Sequence, residues 1–523
     1  MKRNLLFASA LLTVSLAFSQ NFGTYETDQN GKLFYHSDSK QSVLEQEHKA
    51  PTTLALDWSN PDFDVSNNPT QDSWDPRLAV SGNGTAYVVY SDNYSNGLQK
   101  IMFRKKVPGQ DWSAKMFVDK GGEIGGRNNH YGAIAVSPNG DLHVSYNVWA
   151  FENVRNYVAY SYYNAAADTW SDGLKISDAG GTVNHTFGRH DIYSTDANWP
   201  VVVWSYDNRE NMVNEEIYMK YFDGTLWSAD IPVSDITDSK DAGFPFIRSI
   251  GNNKAMLLFS EKNAANVYEL KYRIYDETTH DLSPSKIATS DFIGTYNFTL
   301  VHAPTGETMI LTVHREEGPV RDVFNVYDYD EVADSFTLSA NKYEAIASTA
   351  GLKRIDMDCN MDGDCAVVYT DVFAETNSFM EYDKTTGFGT PEIINTEDPV
   401  LEEINCRFDD NGNLHVTWND KRFDDGQSWD EREVFYEKGI NTLVGINTVS
   451  TINIAVYPNP SNGKFTVQTN DSLNLEIFDL LGRSIASETI SGTTEVNKNL
   501  PQGTYLLRFS NEKSVQVKKL IVE

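Results

Sequence analysis

One hairpin pattern recurs along this chain and restricts the folds that the chain can adopt. Within Asn129–Asn147, the apolar residues 133–136 and the alternating run 142–146 flank the turn signal Pro138-Asn139-Gly140. An Asn-Gly pair between alternating apolar runs is a strong hairpin signal, because both turn positions favour a positive φ. The stretch therefore predicts two antiparallel strands and a tight turn.

The same turn occurs seven times. Its second residue is Gly84, Gly140, Asn198, Asn253, Gly306, Gly363 and Gly412, at spacings of 56, 58, 55, 53, 57 and 49 residues. Each turn precedes an alternating apolar strand and then a strand rich in Tyr and Phe, and several repeats add a strand that opens with Trp-Ser. Four short strands at this period are typical of propeller blades. The sequence predicts an all-β protein with a seven-bladed β-propeller.

The ends of the repeat array indicate how the ring closes. The seventh repeat stops near Lys438, after its third strand, while residues 56–66 upstream of the first repeat look like a stray fourth strand. Pairing the two would leave no bare sheet edge. Six blades plus a decorated hairpin is the alternative.

The remaining segments divide the chain further. Residues 1–19 read as a secretory signal peptide, with a basic start, an apolar core and a small-residue cleavage site. We expect a polar leader over 20–51, the propeller over 52–440, a linker over 441–451 and a small β-sandwich over 452–523. No stretch after the signal is long and apolar enough to span a membrane.

The last segment carries recognisable motifs. These are Tyr457-Pro458-Asn459-Pro460 followed by Gly463, Phe478-Asp479 with Gly482-Arg483, and Leu500-Pro501-Gln502-Gly503-Thr504-Tyr505. In this order they resemble type IX secretion sorting domains. The resemblance implies export by the type IX secretion machinery, followed by release or surface attachment.

The net charge excludes some partners. The chain carries −31, the tail from Ile452 to Glu523 is neutral, and loss of Lys2 and Arg3 with the signal peptide leaves −33 on the body. Such a charge argues against nucleic acid and anionic membranes as partners. It also disfavours a polyanionic substrate unless basic groups converge locally. We expect a monomer.

Chemistry-bearing residues occur where adjacent blades begin and where their second strands end. His130 opens the second blade, His190 and Tyr193 open the third, and Arg209 follows the second strand of the third. Strand ends and loops line a funnel in a propeller, so these residues are placed to meet on one rim. A lone His or Tyr at a strand start is more often structural.

His130, Tyr193 and Arg209 match, in order and approximate spacing, residues of the seven-bladed propeller polysaccharide lyases, notably the ulvan lyases. A second family His has no counterpart in the region 146–150. The resemblance implies a secreted lyase that cleaves a uronate-containing, sulfated ulvan-like polysaccharide by β-elimination. Arg209 would neutralise the carboxylate, His130 would take the C5 proton, and Tyr193 would protonate the departing O4.

The same hypothesis assigns substrate contacts and excludes the need for a cofactor. His190 would orient the substrate, Arg248 would contact a sulfate or second carboxylate, and Trp149 would stack on a sugar. Neither a metal nor an organic cofactor is required for this chemistry. Binding of a structural Ca²⁺ ion is left as an alternative. The spacing that resembles a calcium loop is that of Asp356, Asp358, Asn360, Asp362 and Asp364, which also coincide with an ordinary turn.

Two other functions remain open. The fold also resembles sialidases, in which three convergent arginines bind a carboxylate, and Arg77, Arg248, Arg354 and Arg407 lie on first strands of different blades. A non-catalytic glycan-binding propeller is the other alternative, with Trp149, Trp204 and Trp418 as stacking platforms. For Trp418, blade packing is the preferred interpretation.

The three cysteines leave one further question open. Cys359 and Cys365 flank a turn and could bridge, which would leave Cys406 single, but three buried thiols fit equally well.

Overall fold

The computed structural model describes most of the chain as strands and turns. The described residues are 24–27, 33–36, 54–58, 61–68, 72–94, 98–118, 128–149, 157–177, 189–207, 215–237, 240–290, 297–317, 320–339, 343–344, 352–371, 376–395, 404–422, 432–442, 454–469, 472–479, 483–498, 500–510 and 515–523. Every regular element in these ranges is a β-strand. The chain divides into two compact units, residues 1–440 and 441–523. The predicted signal peptide and the linker core at 443–451 lie outside the described residues.

The first unit is built from seven antiparallel sheets, one for each predicted repeat. From the innermost strand outward, blade 1 contains Ser73–Val80, Ala86–Tyr94, Leu98–Lys106 and Met116–Phe117, and blade 2 contains Asn128–Val136, Leu142–Trp149, Tyr157–Asn164, Thr169–Trp170 and Leu174–Lys175. Blade 3 contains His190–Ser194, Pro200–Asp207, Glu215–Tyr221 and Ile231–Pro232, and blade 4 contains Ala242–Ser249, Lys254–Lys262, Tyr268–Asp276 and Lys286–Thr289.

Blades 5 to 7 follow the same order. Blade 5 contains Phe298–His302, Thr308–Glu317, Val320–Asp330, Ser335–Leu338 and Tyr343–Glu344, and blade 6 contains Leu352–Cys359, Cys365–Asp371, Thr376–Asp383, Gly387–Phe388 and Glu392–Asn395. Blade 7 contains Asn405–Phe408, Leu414–Asp420 and Glu433–Asn441, joined by the upstream strands Leu56–Asp57 and Phe63–Asp64. The seven-bladed all-β fold is therefore confirmed, and the six-blade alternative is wrong.

The ring closes by pairing its two ends, as the sequence predicts. Residues 63–64 pair antiparallel with the third strand of blade 7. The amide of Val65 donates to the Val434 carbonyl at 2.8 Å, and the amide of Val434 donates to the Ser66 hydroxyl at 2.8 Å. Within the predicted polar leader, Thr24–Thr27 and Leu33–His36 pair as a short antiparallel hairpin.

The Trp-Ser signals hold adjacent blades together. Trp112 packs edge-on against Tyr436 of blade 7 with ring centroids 5.0 Å apart, and Trp227 packs in the same way on Tyr160 of blade 2 at 5.1 Å. The serine that follows serves its own blade, since the Ser113 hydroxyl accepts the amide of the third strand at 3.0 Å. In this motif the Trp therefore packs against the neighbouring blade, and the Ser accepts a hydrogen bond within its own blade.

Two kinds of side-chain contact recur or close hairpins within the blades. His143 bonds the Tyr160 hydroxyl at 2.7 Å, and the equivalent His415 bonds the Tyr436 hydroxyl at 2.7 Å, so both histidines are structural. Cys359 and Cys365 face each other across their hairpin and form a disulfide, whereas Cys406 is a buried free thiol.

The second unit is a small β-sandwich. A three-stranded sheet contains Ile454–Tyr457, Lys464–Thr469 and Thr493–Asn497, and a four-stranded sheet contains Leu473–Asp479, Ser484–Ile490, Gly503–Ser510 and Val515–Val522. Alternate apolar residues of both sheets, including Phe465, Leu475 and Phe509, form one core. In the part of the chain that the structure describes, no helix is long and apolar enough to cross a bilayer.

The closing strands predict a pH-dependent stability. Burial raises the pKa of Glu437, on the third strand of blade 7, from its ordinary 4.5 to about 8, with a further rise from Asp62. A raised pKa stabilises the folded state most below pH 4.5, and this contribution is lost as the pH rises through about 8. Between pH 5 and pH 8, we expect the melting temperature of the wild type to fall further than that of Glu437→Gln. The difference between the two falls should be at least about 2 °C.

The measurement is thermal unfolding followed by circular dichroism across this pH range. The matched control is Glu392→Gln, which changes an exposed glutamate of blade 6 and should leave the pH profile unaltered. Parallel profiles for wild type and Glu437→Gln would contradict the assignment.

Candidate functional site

The inner strands of all seven blades border one cavity of about 770 Å³, open to solvent. Five arginines line it, and we call this site the arginine pocket: Arg77, Arg189, Arg248, Arg354 and Arg407, from blades 1, 3, 4, 6 and 7. The charged lining also includes Asp191 and Asp356, which leaves an excess of three positive charges. Basic groups therefore converge locally in a chain of net charge −31. Because basic groups converge in this cavity, the acidic body is compatible with an anionic ligand.

Two of the arginines are held by the same interaction between neighbouring inner strands. Asp191 of blade 3 accepts the amide of Ile247 at 3.0 Å and also pairs with Arg248 Nη1. Asp356 of blade 6 accepts the amide of Cys406 at 3.1 Å and Arg407 Nη1 at 2.7 Å. In its own blade, each Asp lies four residues before the residue that opens the turn after the first strand. In the next blade, each Arg lies two residues before the equivalent residue. The repeat thus provides the same charge pair twice.

The Asp356–Arg407 pair is more buried than the Asp191–Arg248 pair. Burial alone would lower the pKa of Arg407, but the carboxylates of Asp356 and Asp358 outweigh it and raise that pKa. Asp358 lies behind the pair, where burial raises its pKa to about 6 and its Oδ2 accepts the Phe408 amide at 2.7 Å. The guanidinium of Arg407 therefore stays charged in the wall of the pocket.

A repeated backbone irregularity shapes the mouth of the cavity. Asp75, Tyr131, Phe244 and Arg354 have φ values of 49°, 54°, 54° and 51°. Each lies six residues before the residue that opens the first turn of its blade, and each coincides with a register shift between the first two strands. These four residues are β-bulges at equivalent positions of blades 1, 2, 4 and 6. Bulges redirect side chains beside functional sites, at the cost of an unfavourable left-handed conformation.

The bulge of blade 2 is fixed by a histidine from blade 3. His190 Nε2 donates to the carbonyl of Tyr131, and its Nδ1 accepts the Ser145 hydroxyl at 2.8 Å. The amide of Tyr131 in turn donates to the Ser91 hydroxyl at 3.1 Å. Burial lowers the pKa of His190 to about 3, so the imidazole is neutral. Both ring nitrogens are thus engaged by protein groups, which gives His190 a positioning role beside the pocket.

The structure describes two of the three residues that the lyase resemblance groups. His130 is buried on the first strand of blade 2, its ring stacks on that of Tyr131 at 5.1 Å, and burial lowers its pKa to about 4. Tyr193 lies three residues beyond His190 towards the first turn, and its hydroxyl donates to Glu277 Oε1 at 2.7 Å. Successive strand residues alternate in direction, so an odd spacing turns Tyr193 away from His190. The meeting of His130 with Tyr193 on one rim stays a prediction.

The other predicted contacts have different outcomes. Arg209 lies outside the described residues, as does the side chain of Trp149, whose backbone ends the second strand of blade 2. Arg248 lines the arginine pocket, where it is paired with Asp191. Trp204 is only 2% exposed and packs between blades 2 and 3, so it cannot serve as a stacking platform. Trp418 is 1% exposed, as expected of a packing residue.

Sequence reasoning missed two functional candidates. Arg189 was not among the predicted site residues, and Asp356 was considered only as part of a calcium pattern. The number of residues between each position and the turn after it could have revealed Arg189 and Asp356. Residues two, four and six positions before each turn face the same side of a strand. Asn360 Oδ1 accepts the amides of Asp362 and Asp364 at 2.9 and 3.0 Å, so the calcium pattern folds as a turn. Among the described residues no cluster of His, Cys, Asp or Glu is placed to hold a metal ion.

Comparison with known proteins places the second unit in a family. Residues 455–523 match the model of the secretion system C-terminal sorting domain. No curated protein sequence matches the chain.

Solved structures give weaker similarity to the chain. A protein of unknown function from Dyadobacter fermentans is 8% identical, with a TM-score of 0.45, over 74% of this chain and 99% of that one. An α-L-arabinanase from Penicillium chrysogenum is 14% identical, with a TM-score of 0.41, over 59% of this chain and 92% of that one. The NanB sialidase from Streptococcus pneumoniae is 12% identical, with a TM-score of 0.40, over 78% and 73%. The strand motifs and the family match agree that the C-terminal unit is a type IX secretion sorting domain, and the protein is accordingly secreted or carried at the cell surface.

Proposed function

We propose that the exported propeller binds an acidic sugar unit of an extracellular glycan in the arginine pocket and cleaves the glycan there by β-elimination. The observation that supports this proposal most directly is the convergence of five arginines from five blades on one open cavity. Guanidinium groups bind carboxylates and sulfates through paired hydrogen bonds, which favours a uronate-containing, sulfated polysaccharide as substrate.

The chemistry needs a neutralised carboxylate first. In β-elimination from a uronate, a base removes the C5 proton, the C–H electrons form the C4–C5 double bond, and O4 leaves with a proton from an acid. Arginines such as Arg354 and Arg77 would stabilise the negative charge that develops on the carboxylate. Arg209 stays a predicted carboxylate ligand.

The proton transfers involve residues next to the pocket. His130 remains the proposed base, since its lowered pKa of about 4 keeps the imidazole neutral at pH 7. Tyr131 replaces Tyr193 as the proposed proton donor to O4, because its ring stacks on His130 and it sits on the bulge beside the pocket. Tyr193 remains the second candidate for this role, because its hydroxyl donates to Glu277.

Hydrolytic release of a terminal acidic sugar is the second candidate. Arginines from separate blades also suit a sialidase-like reaction, in which they hold the sugar carboxylate. That reaction needs a carboxylic acid and a nucleophile near the same pocket, whereas Asp191 and Asp356 are both engaged by arginines. This second candidate therefore ranks below β-elimination.

One assay separates the two candidates and the binding module. The purified protein is incubated with ulvan, other uronans and a sialylated oligosaccharide, while ultraviolet absorbance and free sialic acid are followed. We expect absorbance to rise with a uronan, because elimination creates an unsaturated uronate. Release of sialic acid would replace the proposal with hydrolysis, and retention of glycan without new chain ends would reduce the propeller to a binding module.

The arginine pocket predicts a loss of activity on charge removal. Arg354→Gln should lower kcat/KM on the uronan by about 100-fold, because a charged hydrogen-bonded contact to the carboxylate is lost. Lys384→Gln removes an exposed cation from an outer turn of the same blade and should retain wild-type kcat/KM. Equal activity of the two variants, at unchanged melting temperature, would exclude the arginine pocket as the substrate site.

The base assignment predicts the pH profile. Since His130 must be neutral to accept a proton and its pKa is about 4, kcat/KM should rise with pH through about 4 and be flat across pH 6 to 7. His130→Gln should lower kcat while Lys384→Gln keeps the profile. An acid limb near the ordinary histidine value of 6.5 would point to an exposed histidine instead.

A further inference from the structure

A second cavity lies between blades 3 and 4, among the turns that follow the first and third strands. Its space, including open solvent, amounts to about 550 Å³. Its lining, which we call the turn pocket, comes from turns and strand ends: Thr195, Ala197, Trp199, Val201, Tyr221, Phe222, Asn253, Tyr275, Glu277, Thr278 and His280. The turn pocket and the arginine pocket share no lining residue.

Aromatic side chains form much of the turn pocket and are held in place. Trp199 is 37% exposed although its ring lies against Gly224, whose φ of +91° and missing side chain permit the close approach. Tyr221 stacks on His280 with ring centroids 3.9 Å apart and planes 9° apart. The Tyr275 hydroxyl bonds His280 Nδ1 at 2.6 Å, which fixes the stack. An exposed, fixed indole is a stacking platform that carries little conformational entropy cost on binding.

One carboxylate provides the polar side of the turn pocket. Glu277 is fixed by the Tyr193 hydroxyl at 2.7 Å, and its backbone amide donates to the Asn253 carbonyl at 2.9 Å. Burial raises the pKa of Glu277 above its ordinary value. Apart from His280, Glu277 is the one titratable carboxylate or base of the lining, and Thr195 and Thr278 add hydroxyl groups. The pocket therefore offers hydrogen-bond acceptors and no arginine or lysine.

We propose that the turn pocket binds a neutral sugar unit, stacked on Trp199 and hydrogen-bonded through a hydroxyl to Glu277. The apolar face of a pyranose ring complements an exposed indole, and a sugar hydroxyl donates well to a carboxylate. An anionic unit is disfavoured because the lining lacks a guanidinium or ammonium group to pair with it. The site goes beyond the reaction proposed for the arginine pocket, since it would attach the protein to the neutral part of a glycan without cleaving it.

Isothermal titration calorimetry on the full chain tests this proposal. The probes are cellotetraose, xylotetraose and mannotetraose as neutral sugars, tetragalacturonate as an anionic sugar and choline as a cation. We expect at least one neutral tetrasaccharide to bind with a dissociation constant on the order of 1 mM. Trp199→Ala should weaken that binding at least about 10-fold, whereas Trp199→Phe should keep it within about 3-fold.

Matched variants keep the result interpretable. Leu226→Ala changes a 69% exposed side chain of the turn next to Gly224 but outside the lining, and should bind as the wild type does. Glu277→Gln preserves the size of the side chain and should weaken binding several-fold. It replaces Trp199→Ala as the test if Trp199→Ala fails to fold. Arg354→Gln should bind neutral sugars normally, so failure of this proposal is distinct from failure at the arginine pocket.

Three results would overturn the proposal. They are the absence of binding by every neutral probe at about 10 mM, unchanged binding by Trp199→Ala at an unchanged melting temperature, and displacement of the sugar by choline. The last result would identify the aromatic walls as a cation site.

Discussion

The arrangement at the propeller axis depends on keeping five guanidinium groups in one cavity. Like charges at short range repel, and their desolvation adds to the cost. Asp191 and Asp356 offset this cost at two positions, each by accepting both a backbone amide and an arginine from the next blade. Because each pair bridges neighbouring blades, these aspartates couple the charge of the site to the packing of blades 3 with 4 and 6 with 7. Stability and the proposed anion recognition would therefore share the same side chains.

The bulged residues show how a repeat can create a site without abandoning its pattern. Asp75, Tyr131, Phe244 and Arg354 occupy the same position of four blades, and each adopts a left-handed conformation that costs of order 1 kcal/mol for a residue with a side chain. Tyr131 is one of these four equivalent bulges, so the segment 129–131 belongs to the repeat. In blade 2, His190 and Ser91 clamp the bulge from the neighbouring blades.

Sequence patterns determined the fold well and the site only in part. Turn spacing and strand alternation predicted seven blades and the closing strand, because both are local consequences of strand geometry. Arg77, Arg248, Arg354 and Arg407 were also visible, because each lies on a first strand two, four or six residues before its turn. The meeting of His130 with Tyr193 stays a prediction, because local patterns do not report the bulge that shifts the register of blade 2. The partner of Tyr193, Glu277, lies 84 residues away, a distance that no local pattern reports.

The two proposed sites would divide the recognition of a glycan by charge. First strands bring arginines to the axis, since the first strand of every blade borders it, whereas turns and strand ends supply Trp199, Tyr221 and Glu277. The acidic body, which carries −33 without Lys2 and Arg3, repels a polyanion at long range, and screening over about 8 Å at physiological salt limits that repulsion to close approach. A positive cavity in a negative exterior then selects anionic units that can enter it, because only inside do contact pairs outweigh the surrounding field. A neutral unit meets no such barrier, so a pocket lined by aromatic groups can hold the polymer while its acidic units reach the arginines.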